Sequence, residues 1–177
     1  MGIHLTTPDS VREDVRPMSN KIKDDRILPY IEEVEQRIVK PRISDELYID
    51  LLLWIDAEDK TSFPEEYEML MNGGIYETYS GKKIFKGLKM AVNYYVYAKI
   101  LKNNDLNITR FGVVSKEEEY SSRVELSNRL AAEKDVLQVA DGYISECIDY
   151  LNVTKNITKF KKAGKQRSRL DLSVIGD

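Results

Sequence analysis

Covalent catalysis by a serine or cysteine needs a base within hydrogen-bond reach, most often a histidine. In this 177-residue chain the only histidine is His4 and the only cysteine is Cys147. Cys147 falls at a core-facing position of a long apolar period, where a free thiol behaves as a small apolar side chain. His4 stands in a polar N-terminal stretch and reads as solvated. Acidic pairs occur at Asp24 and Asp25, Glu32 and Glu33, and Glu65 and Glu66, with a run from Glu117 to Glu119. Each lies at a helix start or on a polar helix face, which points to capping and solvation rather than acid–base chemistry. The sequence contains no HExxH, EF-hand, Walker or GxGxxG pattern. A lone cysteine also excludes an internal disulfide and a zinc site built on paired thiols. The expectation is a protein that is not an enzyme, with no catalytic residue, cofactor or metal.

What remains is electrostatic. Seven Lys or Arg and no acid lie between Thr154 and Leu170, so residues 154–177, with Asp171 and Asp177, balance at +5; the total of −3 then leaves −8 on the first 153 residues. A basic tail on an acidic body reaches for nucleic acid, an anionic membrane or an acidic protein surface. Lys159, Phe160, Lys161, Lys162, Lys165, Arg167 and Arg169 follow no helical period and read as a flexible or partner-ordered segment. LDLSVI then alternates, placing Leu170, Leu172 and Val174 on one side as an addable strand does. A phosphate grip gains nothing from that alternation, so the tail reads as a strap that docks on protein.

These candidates need a body to carry them. With 42% apolar and 32% charged residues, the chain is globular and suits one domain with extensions. It has no signal-like run and no stretch of about 18 uncharged apolar residues, which points to a soluble protein with no membrane partner. Residues 1–20, with Pro8 and Pro17, read as an extended arm outside the core. From Asp24, Ile27, Ile31, Val34 and Ile38 keep helical spacing until Pro41. A second helix is capped by Ser44 or Asp45 and apolar at Leu47, Tyr48, Leu51 and Ile55. A short third follows Pro64 and stops at Gly73 and Gly74. A fourth, KKIFKGLKMAVNYYVYAKILKNN from Lys82, is apolar over so wide an arc that it reads as central. LNITRFGVVS has strand character broken by Gly112. Beyond a capping-box spacing at Ser115 and Glu118, a last long helix runs to about Asn152. The expected fold class is therefore all-α: about five helices in residues 21–152, an extended N-terminal arm, and an extended basic tail over 153–177.

The succession RILPYIEEVEQRIVKPRISDELYIDLL, YEMLMNGGIYE and GLKMAVNYYVYAKILKNNDLNITRFGVVSKEEEYS, followed by a long last helix, resembles the head–tail connector (portal adaptor, or ring) proteins of tailed bacteriophages. It is most similar to those of Bacteroidetes-infecting and crAss-like phages, and covers residues 5–152. The resemblance implies a homo-oligomeric ring, usually a dodecamer, beneath the portal protein at the capsid–tail junction of the virion, assembled in the host cytoplasm. Such a ring extends the channel for double-stranded DNA, which passes without sequence-specific binding, and presents a docking surface to the next tail or ring protein. It further implies that Ile108 to Ser115, with Phe111, Gly112, Val113 and Val114, and the two termini bind neighbours. The length and basicity of the tail depart from the family pattern. The alternative is a small helical nucleic-acid-binding accessory protein that uses its tail on phosphates.

Overall fold

The Thr7 side chain accepts the Ser10 N–H at 3.2 Å, and Pro8 occupies the first helical position, where its missing N–H costs nothing. These local signals form helix α1, Pro8–Asp14, in this computed structural model, which describes residues 2–18, 22–103, 106–109, 112–115, 126–154 and 157–160. Leu5 and Val11 are buried in the main core. The expectation of an extended arm outside the core is thereby corrected: seven residues are too few to show a period, but Thr-Pro-Asp is a helix-start signature.

Helix α2 (Asp24–Val34) buries Ile27, Ile31 and Val34, as its spacing predicts. It does not stop at Pro41. Residues Glu35–Val39 widen into a π turn, in which the Lys40 N–H reaches back to the Glu35 carbonyl, and α3 (Lys40–Ile43) continues through the proline. A proline ring collides with the carbonyl four residues earlier and offers no N–H. Widening the preceding turn relieves both problems. Helix α4 (Asp45–Asp56) then starts at Ser44, whose Oγ accepts the Leu47 N–H, and α5 (Glu66–Asn72) buries Tyr67, Leu70 and Met71.

Here the all-α expectation is also corrected. Strands β1 (Gly74–Thr78) and β2 (Gly81–Phe85) form an antiparallel hairpin, so Lys82 to Phe85 belong to a strand rather than to the fourth helix. Ile84 and Leu88 happen to lie four residues apart, which mimics helical phase. The pleat decides otherwise, because Tyr76 and Phe85 share the inner face and pack on Tyr150, with ring centroids 5.2 and 4.8 Å away. The central helix, α6 (Leu88–Asn103), is buried on nearly all sides. A second hairpin pairs β3 (Leu106–Thr109) with β4 (Gly112–Ser115), in keeping with the strand character read there. Helix α7 (Leu126–Val153) lays Val136, Ala140, Ile144, Cys147 and Leu151 along α6, its most extensive partner. The result is a predominantly helical fold with two small hairpins.

Two glycines set the base of the first hairpin. Gly73 and Gly87 have φ of +80° and +84°, and a Cβ on either would lie 2.4 Å from backbone of the opposite crossing segment. Only hydrogen fits between the two passes, and only glycine adopts this φ without strain. Gly73→Ala or Gly87→Ala should each lower stability by about 1–3 kcal/mol, from positive φ and collision together. Gly81→Ala, with open space around its Cβ position, should cost less. Urea midpoints of the three variants check the order.

Candidate functional site

Glu35 faces inward from the π turn and is fully buried. A carboxylate out of water must have its oxygens occupied, and the N-terminal segment supplies the partners. The Leu5 N–H donates to Oε1 at 2.6 Å, His4 Nδ1 lies 3.1 Å from Oε2, and the Tyr48 hydroxyl donates to Oε2 at 3.0 Å. Burial pushes the Glu35 carboxyl above its ordinary value, while the hydrogen bonds from His4 and Leu5 pull against that rise. Burial also raises the Tyr48 hydroxyl, with the Glu35 charge adding to it. His4, expected to be solvated, is instead part of this clamp.

A second buried polar group, Asn93 of α6, holds the next residues. Its Nδ2 donates to Ser10 Oγ and Asp14 Oδ2, both at 2.9 Å, and its Oδ1 accepts from Thr6 Oγ1 at 2.5 Å. Thus Glu35 and Asn93 together tie residues 4–14 to the helical core.

The C-terminal segment has its own anchor. Ile157 is buried, Phe160 packs on the core, and Lys159 Nζ donates to Asp50 Oδ1 at 2.5 Å. Ser44 Oγ donates to the Lys159 carbonyl at 2.9 Å. Ser44 sits at φ +84° and ψ 151°, a region rarely used outside glycine. One hydroxyl therefore both caps α4 and binds the backbone at Lys159. Asp50 also accepts the Tyr67 hydroxyl, whose pKa burial raises. Phe63, Pro64, Tyr67, Thr158 and Lys159 surround Asp50 in an open pocket of about 270 Å³.

Most of the large apolar side chains left outside lie in two places, while Ile3, Leu130 and Val153 are exposed elsewhere. Ile75, Tyr79 and Ile84 are exposed on the first hairpin, and Ile49 and Leu53 on α4. Of the sequence-derived partner residues, Lys159 and Phe160 are brought to the tail anchor, and Gly112, Val113 and Val114 form β4. Phe111, Lys161, Lys162, Lys165, Arg167, Arg169, Leu170, Leu172 and Val174 lie outside the described residues. Cys147 is buried in α7, and burial pushes its thiol up to about 12, which withholds the thiolate near neutral pH. Among the described residues, no group of three or more His, Cys, Asp or Glu is placed to hold a metal ion, and no helix is long and apolar enough to cross a membrane.

Sequence reasoning missed Glu35, Asp50 and Asn93. The signal was present for the first two: Glu35 falls four residues after Ile31, and Asp50 three after Leu47, both on apolar helix stripes. A polar residue on such a stripe is a candidate for an internal clamp.

This helical body, with two hairpins and with residues 4–14 and 157–160 clamped to it, is the frame for comparison with known proteins. A family model described as a family of unknown function (DUF6712) matches residues 40–169, and the chain belongs to that family. No curated protein and no solved structure matches it. The matched range includes both hairpins, Asn93 and the Asp50 anchor, and begins just after the π turn that carries Glu35.

The Glu35 clamp makes a test with a sign. The folded state holds the Glu35 proton more tightly than the unfolded chain, so this residue's contribution to stability declines as pH rises from the ordinary glutamate range through the raised value. Glu35→Gln keeps an acceptor for the Leu5 N–H and has no proton to lose. Wild type should therefore lose stability relative to Glu35→Gln over that window, as read by urea midpoints at several pH values; parallel profiles would contradict the assignment. Glu35→Ala leaves the Leu5 N–H buried without a partner and should cost about 1–3 kcal/mol at any pH.

Proposed function

We propose that the protein is a structural subunit of a phage virion: a head–tail connector that assembles as a ring, by resemblance a dodecamer, beneath the portal. It continues the DNA channel toward the tail and docks the next component. The observation that carries this reading is the division of labour among side chains. Buried polar groups at Glu35, Asn93 and Asp50 are engaged by residues 4–14 and by Lys159, while most exposed large apolar groups lie on a hairpin and one helix. Clustered apolar groups of this kind are liabilities on an isolated monomer and joints in an assembly. The net −8 of residues 1–153 suits a channel lining, since a negative wall lets duplex DNA slide, whereas a basic one would bind it with strong salt dependence.

The tail serves this reading as a strap. Its first described lysine is engaged by Asp50 of its own body, which supports protein rather than phosphate as the target of the basic run that follows.

Mass spectrometry of purified particles of the encoding phage, with cryo-electron microscopy of the portal vertex, should find the chain as a ring there. A chain absent from particles ends this reading. Truncation after Phe160 retains Ile157, Lys159 and Phe160 and removes Lys161, Lys162, Lys165, Arg167 and Arg169. The truncated protein should fold with an unchanged urea midpoint yet lose attachment to portal-bearing particles. Undiminished attachment defeats the strap, and loss of a steep salt-dependent retention on DNA favours the nucleic-acid alternative instead.

A further inference from the structure

The two exposed apolar clusters are complementary to each other. On α4, the exposed residues Glu46, Ile49, Leu53 and Asp56 recur at intervals of three or four and so form one outward stripe: acid, two apolar residues, acid. On β2, Lys82 and Ile84 face outward, and exposed Lys86 follows one residue past the strand's end, giving base, apolar, base along the row, with Glu77 beside Lys82 on the same face. Ile84 lies directly opposite Ile75 across the hairpin, which doubles the apolar centre. The lengths agree as well. The ten steps from Glu46 to Asp56 rise about 15 Å in a helix, and the four steps from Lys82 to Lys86 span about 13 Å of extended chain.

We propose that the outer face of the β1–β2 hairpin docks on the outer stripe of α4 in a second copy of this chain. Ile75 and Ile84 meet Ile49 and Leu53, while Lys82 and Lys86 meet the acids at the two ends of the stripe. The hairpin's own ion pair, Lys82 to Glu77, is 3.8 Å long and exposed at both ends, so it yields readily to a partner carboxylate. Pairing of the hairpin face with itself would set two faces of net positive charge together, Lys82 and Lys86 outnumbering Glu77, and pairing of α4 with itself would set acid against acid. Charge therefore selects the unlike combination.

Because the two surfaces belong to different parts of one chain, each contact leaves one surface open at either end. Copies add head to tail, and the array closes into a ring when the rotation between neighbours permits. This deepens the connector reading and rests on it for closure. The patch is small, so one contact alone is weak and many closed in a ring reinforce each other.

The test uses two full-length variants, Ile49→Cys and Ile84→Cys. Both positions are more than half exposed, and native Cys147 is buried. Under mild oxidation, the mixture should form an intermolecular 49–84 disulfide in about tenfold excess over either variant alone. Adding Lys82→Glu and Lys86→Glu to the Ile84→Cys chain should abolish that excess, and Asp56→Lys with Glu46→Lys on the other chain should restore it. An adduct from Ile84→Cys alone that equals the mixture, no adduct in the mixture, or indifference to charge reversal each overturns the proposal. If the adduct fails while wild-type rings occupy the portal vertex, the interface assignment falls and the connector reading stands. If particles also lack the chain, both fall.

Discussion

A carboxylate sealed in an apolar interior is the constraint on which much of this structure depends. Glu35 is fully buried, so its oxygens need donors, and His4 and Leu5 bring two of them from about thirty residues away. Satisfying that one group obliges the N-terminal segment to cross the helical core. Asn93 extends the obligation to Thr6, Ser10 and Asp14. The π turn at Glu35–Val39 belongs to the same constraint, since it both accommodates Pro41 and aims the carboxylate inward. Polar groups inside a core are costly when unpaired and specific when paired, so the clamp fixes one path for the arm.

The same logic operates around Lys159 on a smaller scale. Asp50 accepts from Tyr67 of α5 and from Lys159 beyond α7, and Ser44 holds a strained backbone angle while binding the Lys159 carbonyl. The mutual approach of Gly73 and Gly87 plays a steric version of this role, because it sets the direction in which the first hairpin leaves the body. With residues 4–14 and 157–160 clamped and the hairpin base fixed, the outward faces of the hairpin and of α4 stay exposed. These faces are where the ring subunit proposed above would make its contacts.

Much of the helical framework was legible from spacing alone. Ile27, Ile31 and Val34, then Leu47 and Leu51, then Tyr67, Leu70 and Met71 bury as their periods predict, and α6 is central because its apolar arc leaves few other places for it. The candidate site was less legible. Lys159 and Phe160 were marked for their charge and position, but their partner Asp50 was hidden on an apolar stripe. The first hairpin was concealed because Ile84 and Leu88 satisfy a helical interval, and α1 because it is shorter than any period can reveal.

The sequence by itself determined the element types wherever a period ran for three turns or more, the opposite charges of body and tail, and the presence of a single histidine and a single cysteine. These are local or additive properties, readable without knowing which segments meet. Only the tertiary structure decided that the arm belongs to the core, that Tyr76 and Phe85 turn a helical-looking stretch into a strand, and that Lys159 finds Asp50 from a hundred residues away. Such outcomes depend on pairing between distant groups, where burial and unsatisfied hydrogen bonds outweigh the weak preferences of a short stretch of chain.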